Sequence, residues 1–209
     1  MGSLLSSLAF ASLLTYSPRG QSATSQRSRR VRDAVKGARQ DILDRSVQAL
    51  LELGGVEPFL GPGVCLVPVP RSAPIRDAGT LWPSQRICER LVSGGLGQAV
   101  LPCLARTTAV PKSAFAAPGE RPDVERHFET MKVEPALQRP GRITVVDDIV
   151  TKGATLLAAA SRVQDAFPEA EVRAFALLRT MGLVEEVEKI LDPCRGTITL
   201  VRGEVVRVP

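Results

Sequence analysis

The chain has 209 residues, 44% hydrophobic and 23% charged, with a net charge of +5 carried largely by arginine. That is enough chain for one α/β domain with additions, or at most two small domains, with a core that needs no covalent staples. Cys65, Cys88, Cys103 and Cys194 form no CxxC pair and His127 is the one histidine, which argues against a zinc site and for reduced thiols in a cytoplasmic protein.

Leu4 to Leu14 is a short apolar stretch rich in small residues. It has no basic flank of the secretory kind and is too short to span a bilayer, so it reads as an amphipathic element packed on the domain, with no membrane partner. Met1 to Ser6 also fits the loose myristoylation pattern, which is common by chance. Residues 17–30, rich in Ser, Gln and Arg, read as a loop or arm. Val31, Val35, Ile42, Val47, Leu50 and Leu51 have helical spacing over 31–53, and Gly54-Gly55 ends that helix. Val64 to Pro70 is a buried strand bent by proline at its end. A helix starts at Pro83 and stops at Gly94-Gly95, and Ala99 to Leu104 is the next strand. Thr107 to Val133 has little periodicity and reads as a long loop, which in a compact domain is usually functional. Ile143–Val146 is a strand, Thr155–Phe167 a helix, Val172–Leu178 a strand and Leu183–Leu191 a helix. Thr197–Val201 and Val205–Val208 flank a turn and read as a hairpin. Strands and helices alternate from residue 64 onward, which points to a Rossmann-like parallel sheet flanked by helices. Ligands of such sheets bind beyond the carboxyl ends of the strands. With few aromatics, the core is expected to be Val, Leu, Ile and Ala, as suits parallel strands.

Three features belong to that edge. Asp147-Asp148 follows an apolar strand, and adjacent strand residues point to opposite sides. Two carboxylates there can accept hydrogen bonds from a ribose diol or face a hydrated Mg²⁺. Thr151-Lys152-Gly153-Ala154-Thr155 then leads into a helix, where backbone amides and hydroxyls can surround a phosphate. The Walker spacing is absent. Each fragment has a plainer reading: an Asp at a strand end often caps a helix, and TxGxT alone is a plausible helix cap. Joined in one run, they imply a sugar phosphate.

The run Val145 to Thr155 resembles the phosphoribosyl-diphosphate motif of type I phosphoribosyltransferases, with every signature position filled. Val67-Pro68-Val69-Pro70-Arg71-Ser72 resembles the diphosphate loop of ComF-like members. The resemblance covers about residues 60–180. It implies the type I phosphoribosyltransferase fold: an N-terminal helical and basic arm with a hood segment (1–58), a core (59–182), and a C-terminal helix and hairpin completing core or hood (183–209). It assigns Asp147 and Asp148 to the ribose hydroxyls and, through water, to Mg²⁺. It assigns Thr151 to Thr155 to the 5′-phosphate, with Lys152 adding a cation, and Pro70, Arg71 and Ser72 to the diphosphate. The segment 106–132 falls where the family keeps a flexible catalytic loop, so some of Arg106, Lys112, Arg121, Arg126 and Lys132 are expected to close on the diphosphate; a solvated charged loop is the plainer reading. His127 is read as an ordinary packing or surface residue, with general-base work as its alternative. The cysteine-rich zinc module that often precedes ComF-like cores is missing, so a DNA-uptake role does not carry over.

The implied reaction is transfer of phosphoribosyl from 5-phosphoribosyl 1-diphosphate to a nitrogen nucleophile, with Asp147, Asp148 and Arg71 at its centre. The acceptor is left open, as is a homodimer. The alternative is a regulator that senses the same ligand and contacts a protein or nucleic acid. Arg19 to Arg39 carries seven basic residues against Asp33 alone, which suits a phosphate backbone, although a solvated basic helix face is the plainer reading.

Overall fold

The computed structural model describes residues 2–77, 79–111, 122–182, 184 and 186–209. In chain order the elements are β1 (Ser7–Tyr16), α1 (Ala23–Lys36), α2 (Gln40–Leu53), α3 (Glu57–Leu60), β2 (Cys65–Pro68), α4 (Pro83–Ser93), β3 (Ala99–Val100), β4 (Leu104–Arg106), α5 (Val124–Glu129), β5 (Met131–Val133), β6 (Arg142–Val150), α6 (Ala154–Ala166), β7 (Glu171–Thr180), β8 (Leu191–Val201) and β9 (Glu204–Val208). One sheet has the order β3-β2-β6-β7-β1-β8-β9, and β4 and β5 form a separate antiparallel pair. The first five strands of that order run parallel, and β8 and β9 are antiparallel to their neighbours. The molecule is therefore α/β with a mostly parallel sheet between helices.

The apolar residues sort by sheet face. Val145, Ala174, Ala176, Phe10 and Ile198 pack against Leu156, Leu157, Ala160 and Val163 of α6. Val146, Phe175, Leu177, Ala11 and Leu13 pack against Val35, Leu43, Leu50, Ile87 and Leu91 of α1, α2 and α4. Strand alternation delivers each set to its own layer. The alanines of α6 at 158–160 are fully buried, and their small side chains let the helix lie close to the sheet. Within the described residues, no helix is long and apolar enough to cross a membrane. All four cysteines are unpaired.

Several elements differ from the sequence reading. The apolar N-terminal stretch is a sheet strand, β1, hydrogen-bonded between β7 and β8. The N-terminal segment expected to form a hood and the C-terminal segment expected to complete core or hood both extend this same sheet, through β1, β8 and β9. The arm at 17–30 contains residues 23–30 of α1, capped by the Ser22 side chain, which accepts from the Ser25 amide. Its buried face begins with Ser25 and Ser28, so no apolar stripe announced it; the Ser28 hydroxyl donates to the Ser25 carbonyl at 2.7 Å. The helix expected over 31–53 is two helices, broken at Gly37 and at Ala38 with φ +50°. The strand expected over Ala99–Leu104 divides at Pro102, after which β4 turns away to pair with β5. The loop expected over 107–133 contains α5 and β5. Residues 186–190 form no helix. Glu186 is drawn instead to the start of α1, where it accepts from the Ser22 amide at 2.9 Å and the Ser25 hydroxyl at 2.7 Å. These bonds and that of the Gln21 amide hold its carboxyl down to about 2.

Candidate functional site

The connections of the sheet reverse direction between β2 and β6. From β2 the chain passes through α4 to β3 on one side, and from β6 through α6 to β7 on the other. The loops leaving β2 and β6 therefore part above the two adjacent carboxyl ends, which opens the crevice where α/β sheets bind ligands.

Asp147 and Asp148 stand at that crevice in the last turn of the β6 ladder, where Asp147 is level with Ala176 of β7. One Asp147 carboxylate oxygen accepts from the Ser84 hydroxyl at 3.1 Å and from the Asp148 amide at 2.9 Å. Ser84 is buried in the first turn of α4. Burial pushes the Asp147 carboxyl well up, and the neighbouring Asp148 charge adds to this. Burial also raises Asp148, opposed chiefly by the charge of Lys36 at the end of α1. The two acids thus feel different cations, since Asp147 is the one whose charge acts on Arg106. Within the described residues, neither carboxylate forms an ion pair within 4 Å, while other acids of the chain do.

Beside the acids lies the turn after β2. The last ladder bond runs from the Val69 amide to the Val146 carbonyl at 2.8 Å, and the Trp82 indole donates to the Val69 carbonyl at 2.7 Å. Carbonyls of the turn are bound from behind: Arg71 by the Arg106 guanidinium at 3.1 Å and Ser72 by the Val110 amide at 2.8 Å. The amides of Arg71 and Ser72 donate to no group of the described residues, and Arg71 is half-buried. A turn with its carbonyls fixed and its amides free is a place for an anion.

On the other side of the acids is the loop into α6. Gly153 has φ +99° and precedes the helix with no side-chain cap, and the first turn of α6 holds no acidic residue. A Cβ at Gly153 would lie 2.7 Å from Ile198 Cδ1, so both backbone and space require glycine. The first intrahelical bond is from the Leu157 amide to the Gly153 carbonyl, which leaves the amides of Ala154, Thr155 and Leu156 unpaired at the positive helix end. Thr151 and Lys152 are exposed. The Thr151 hydroxyl shares a 3.2 Å hydrogen bond with that of Thr180.

The basic residues of the 106–132 segment divide. Arg106 is buried and donates to the Arg71 carbonyl and, at 2.8 Å, to the Thr130 hydroxyl. It is a fixed strut beneath the turn, not a mobile cation, and burial lowers its pKa to about 10. Arg126 is exposed on α5 and Lys132 is exposed on β5, each facing a glutamate, Glu129 at 3.9 Å and Glu134 at 3.4 Å; neither is brought to the acid pair. Lys112 and Arg121 lie outside the described residues. His127 is buried, with Nε2 3.3 Å from the Thr155 hydroxyl. Burial, then the Arg106 charge, push its pKa down to about 4, so it is neutral and packs behind the loop.

Sequence reasoning missed Lys36, Ser84, Trp82 and Thr180. Each reaches the site from a distant element, and nothing local marks Lys36, Trp82 or Thr180. Ser84 alone had a signal, as a hydroxyl in the first turn of a helix that starts beside the crevice. No family model matches the chain, and no curated protein matches it in sequence.

Proposed function

We propose that this crevice binds 5-phosphoribosyl 1-diphosphate and that the chain is a phosphoribosyltransferase of the type I kind. The observation that carries the reading is an arrangement in space: a half-buried carboxylate pair flanked by two anion cradles. The free amides of Arg71 and Ser72 lie on the β2 side, and those of Ala154 to Leu156 lie on the α6 side. A ligand with a diol between two phosphoryl groups answers all three.

Mg²⁺ fits the donor set, because Asp147 and Asp148 offer hard oxygen ligands whose charge no ion pair of the described residues offsets. When bound, the ion supplies charge neutralisation for the leaving diphosphate. Asp147 and Asp148 hold the ribose hydroxyls and stabilise positive charge on the sugar. The turn at Pro70, Arg71 and Ser72 holds the diphosphate through amides and the Arg71 guanidinium, with Arg106 fixing the turn from below. The loop from Thr151 to Thr155, with Lys152 beside it, holds the 5′-phosphate. The C1–N bond forms as the C1–O bond breaks. The bonding pair leaves with diphosphate and the nitrogen proton passes to solvent. Positioning does most of the work.

Calorimetric titration with the diphosphate ligand and Mg²⁺ tests binding. No heat at millimolar ligand refutes the reading, and Asp147→Asn with Asp148→Asn should abolish any heat that is seen. A screen of nucleobases for diphosphate release then tests turnover. One observation favours the regulatory alternative: α1 exposes Arg27 and Arg30 and ends at Lys36, whose charge acts on Asp148. Binding without turnover, together with salt-dependent nucleic-acid binding lost in Arg27→Glu, Arg30→Glu, would select it.

A further inference from the structure

The C-terminal hairpin brings an arginine to the α6 loop. Arg207 of β9 is level with Ile198 of β8, the residue packed against Gly153. Its Nη2 donates to the Thr180 carbonyl at 2.8 Å, and the Thr180 hydroxyl is bonded to Thr151 of the loop. Its Nη1 is buried and has no hydrogen-bond partner among the described residues. Behind it stands Arg179, 5% exposed, ion-paired with Asp192, with an Nε that is also buried and unpartnered. Two guanidinium groups thus face each other's field with Asp192 as the paired acid, and this repulsion adds to the burial that lowers the Arg207 pKa.

A buried N–H without an acceptor is a cost that an incoming anion removes. Thr180 and Ile198 connect Arg207 to the loop that ends in the free amides at the start of α6. We infer that Arg207 is a phosphate-binding residue of this site, and that with the loop at 151–155 it selects a dianionic phosphomonoester. The inference rests on the reading that the loop holds a sugar phosphate. It assigns the ligand's terminal phosphate a side-chain partner from the last strand, so the C-terminal hairpin works at the phosphate end of the crevice.

The test is titration of ribose 5-phosphate into the full chain and into Arg207→Gln and Arg207→Lys, with inorganic phosphate as a second probe and magnesium diphosphate as the control. Arg207→Gln should weaken ribose 5-phosphate and phosphate about tenfold or more, as loss of a charge-assisted bond does. Arg207→Lys should restore part of the loss, and magnesium diphosphate should bind all three proteins alike. Should Arg207→Gln fail to fold, Arg207→Lys carries the comparison, because it keeps the charge and loses the fork. Equal affinity of parent and variants for ribose 5-phosphate overturns the inference. So does an equal loss of both ligands, or a parent that binds neither phosphate probe at millimolar concentration. Arg207-dependent binding of ribose 5-phosphate without binding of the 1-diphosphate would leave this inference standing and remove the transferase reading.

Discussion

Gly153→Ala separates the two reasons for glycine in the loop before α6. At φ +99° an L side chain is strained, at a cost of about 1–2 kcal/mol. The new methyl would also lie 2.7 Å from Ile198 Cδ1 and 2.9 Å from both Cγ1 and Cγ2. Ile198 is fully buried and cannot swing away, so overpacking adds about 1–3 kcal/mol. The single variant should lose about 2–5 kcal/mol in urea denaturation. The three clashing atoms all belong to Ile198, so Ile198→Ala removes the clash and leaves the strain. Ile198→Ala alone should cost about 2–5 kcal/mol for its cavity. The double variant should be more stable than the sum of the two losses predicts, with a coupling of about 1–3 kcal/mol. A single-variant loss below about 1 kcal/mol refutes the backbone argument. A coupling near zero refutes the claim that Ile198 holds the loop in place.

The acid pair should make the unliganded protein less stable at neutral pH. Burial raises the Asp147 carboxyl, so the folded state holds a proton that the unfolded state has released. Stability should then rise as pH falls through the folded pKa and level off near the unfolded value of about 4. Asp147→Asn should flatten that slope and raise the melting temperature at pH 8 while weakening ligand binding. His127 should act in the opposite sense: held down to about 4, it lets stability drain away as pH falls from about 6.5 toward 4. Its ring proton, the one histidine signal in the spectrum, should titrate near the lower value by NMR; a midpoint near 6.5 would contradict the buried placement. Trp82→Phe leaves the Val69 carbonyl without its indole donor and should cost about 1–3 kcal/mol. As Trp82 is the one tryptophan, its fluorescence should shift when magnesium diphosphate reaches the neighbouring turn.

What the sequence made legible was local. The run from Val145 to Thr155 holds its strand, its acids, its glycine and its helix start within one stretch, so hydropathy and turn chemistry were enough. Proline at 68 and 70, and Pro83 with Gly94, punctuated β2 and α4 in the same way. Elements whose signal is long-range were missed. In β1, Ala9, Ala11 and Ser12 dilute the apolar alternation, and the strand is defined by β7 and β8, more than 150 residues away. α1 buries hydroxyls where a helix normally buries an apolar stripe. Residues 183–191 have helical spacing, yet Glu186 gains more at the amides of Gln21 and Ser22 than in a surface helix. Because β1 lies between β7 and β8, removing residues 1–40 would take out an inner strand of the sheet, so charge reversal on α1 is the usable test of the basic face.

The plainer reading of the motif, two helix caps that happen to adjoin, meets a physical difficulty. Asp147 caps no helix; its oxygen is bound by Ser84 from another helix and by the next amide of its own chain. The helix that follows begins at Gly153 with no side-chain cap at all, although Thr151 and Thr155 are at hand. Thr151 bonds Thr180 and Thr155 lies against His127 instead. Caps stabilise by satisfying helix-end amides, and here those amides are left open while the half-buried acids are desolvated at a cost. Arg71 and Ser72 repeat the pattern across the crevice, with bound carbonyls and free amides. Open donors on both flanks of a half-buried acid pair are poor choices for stability alone. They have opposite signs of charge, in the order anion cradle, carboxylates, anion cradle, and on the proposed reading a phosphorylated ribose with a metal ion at its diphosphate would relieve each in turn.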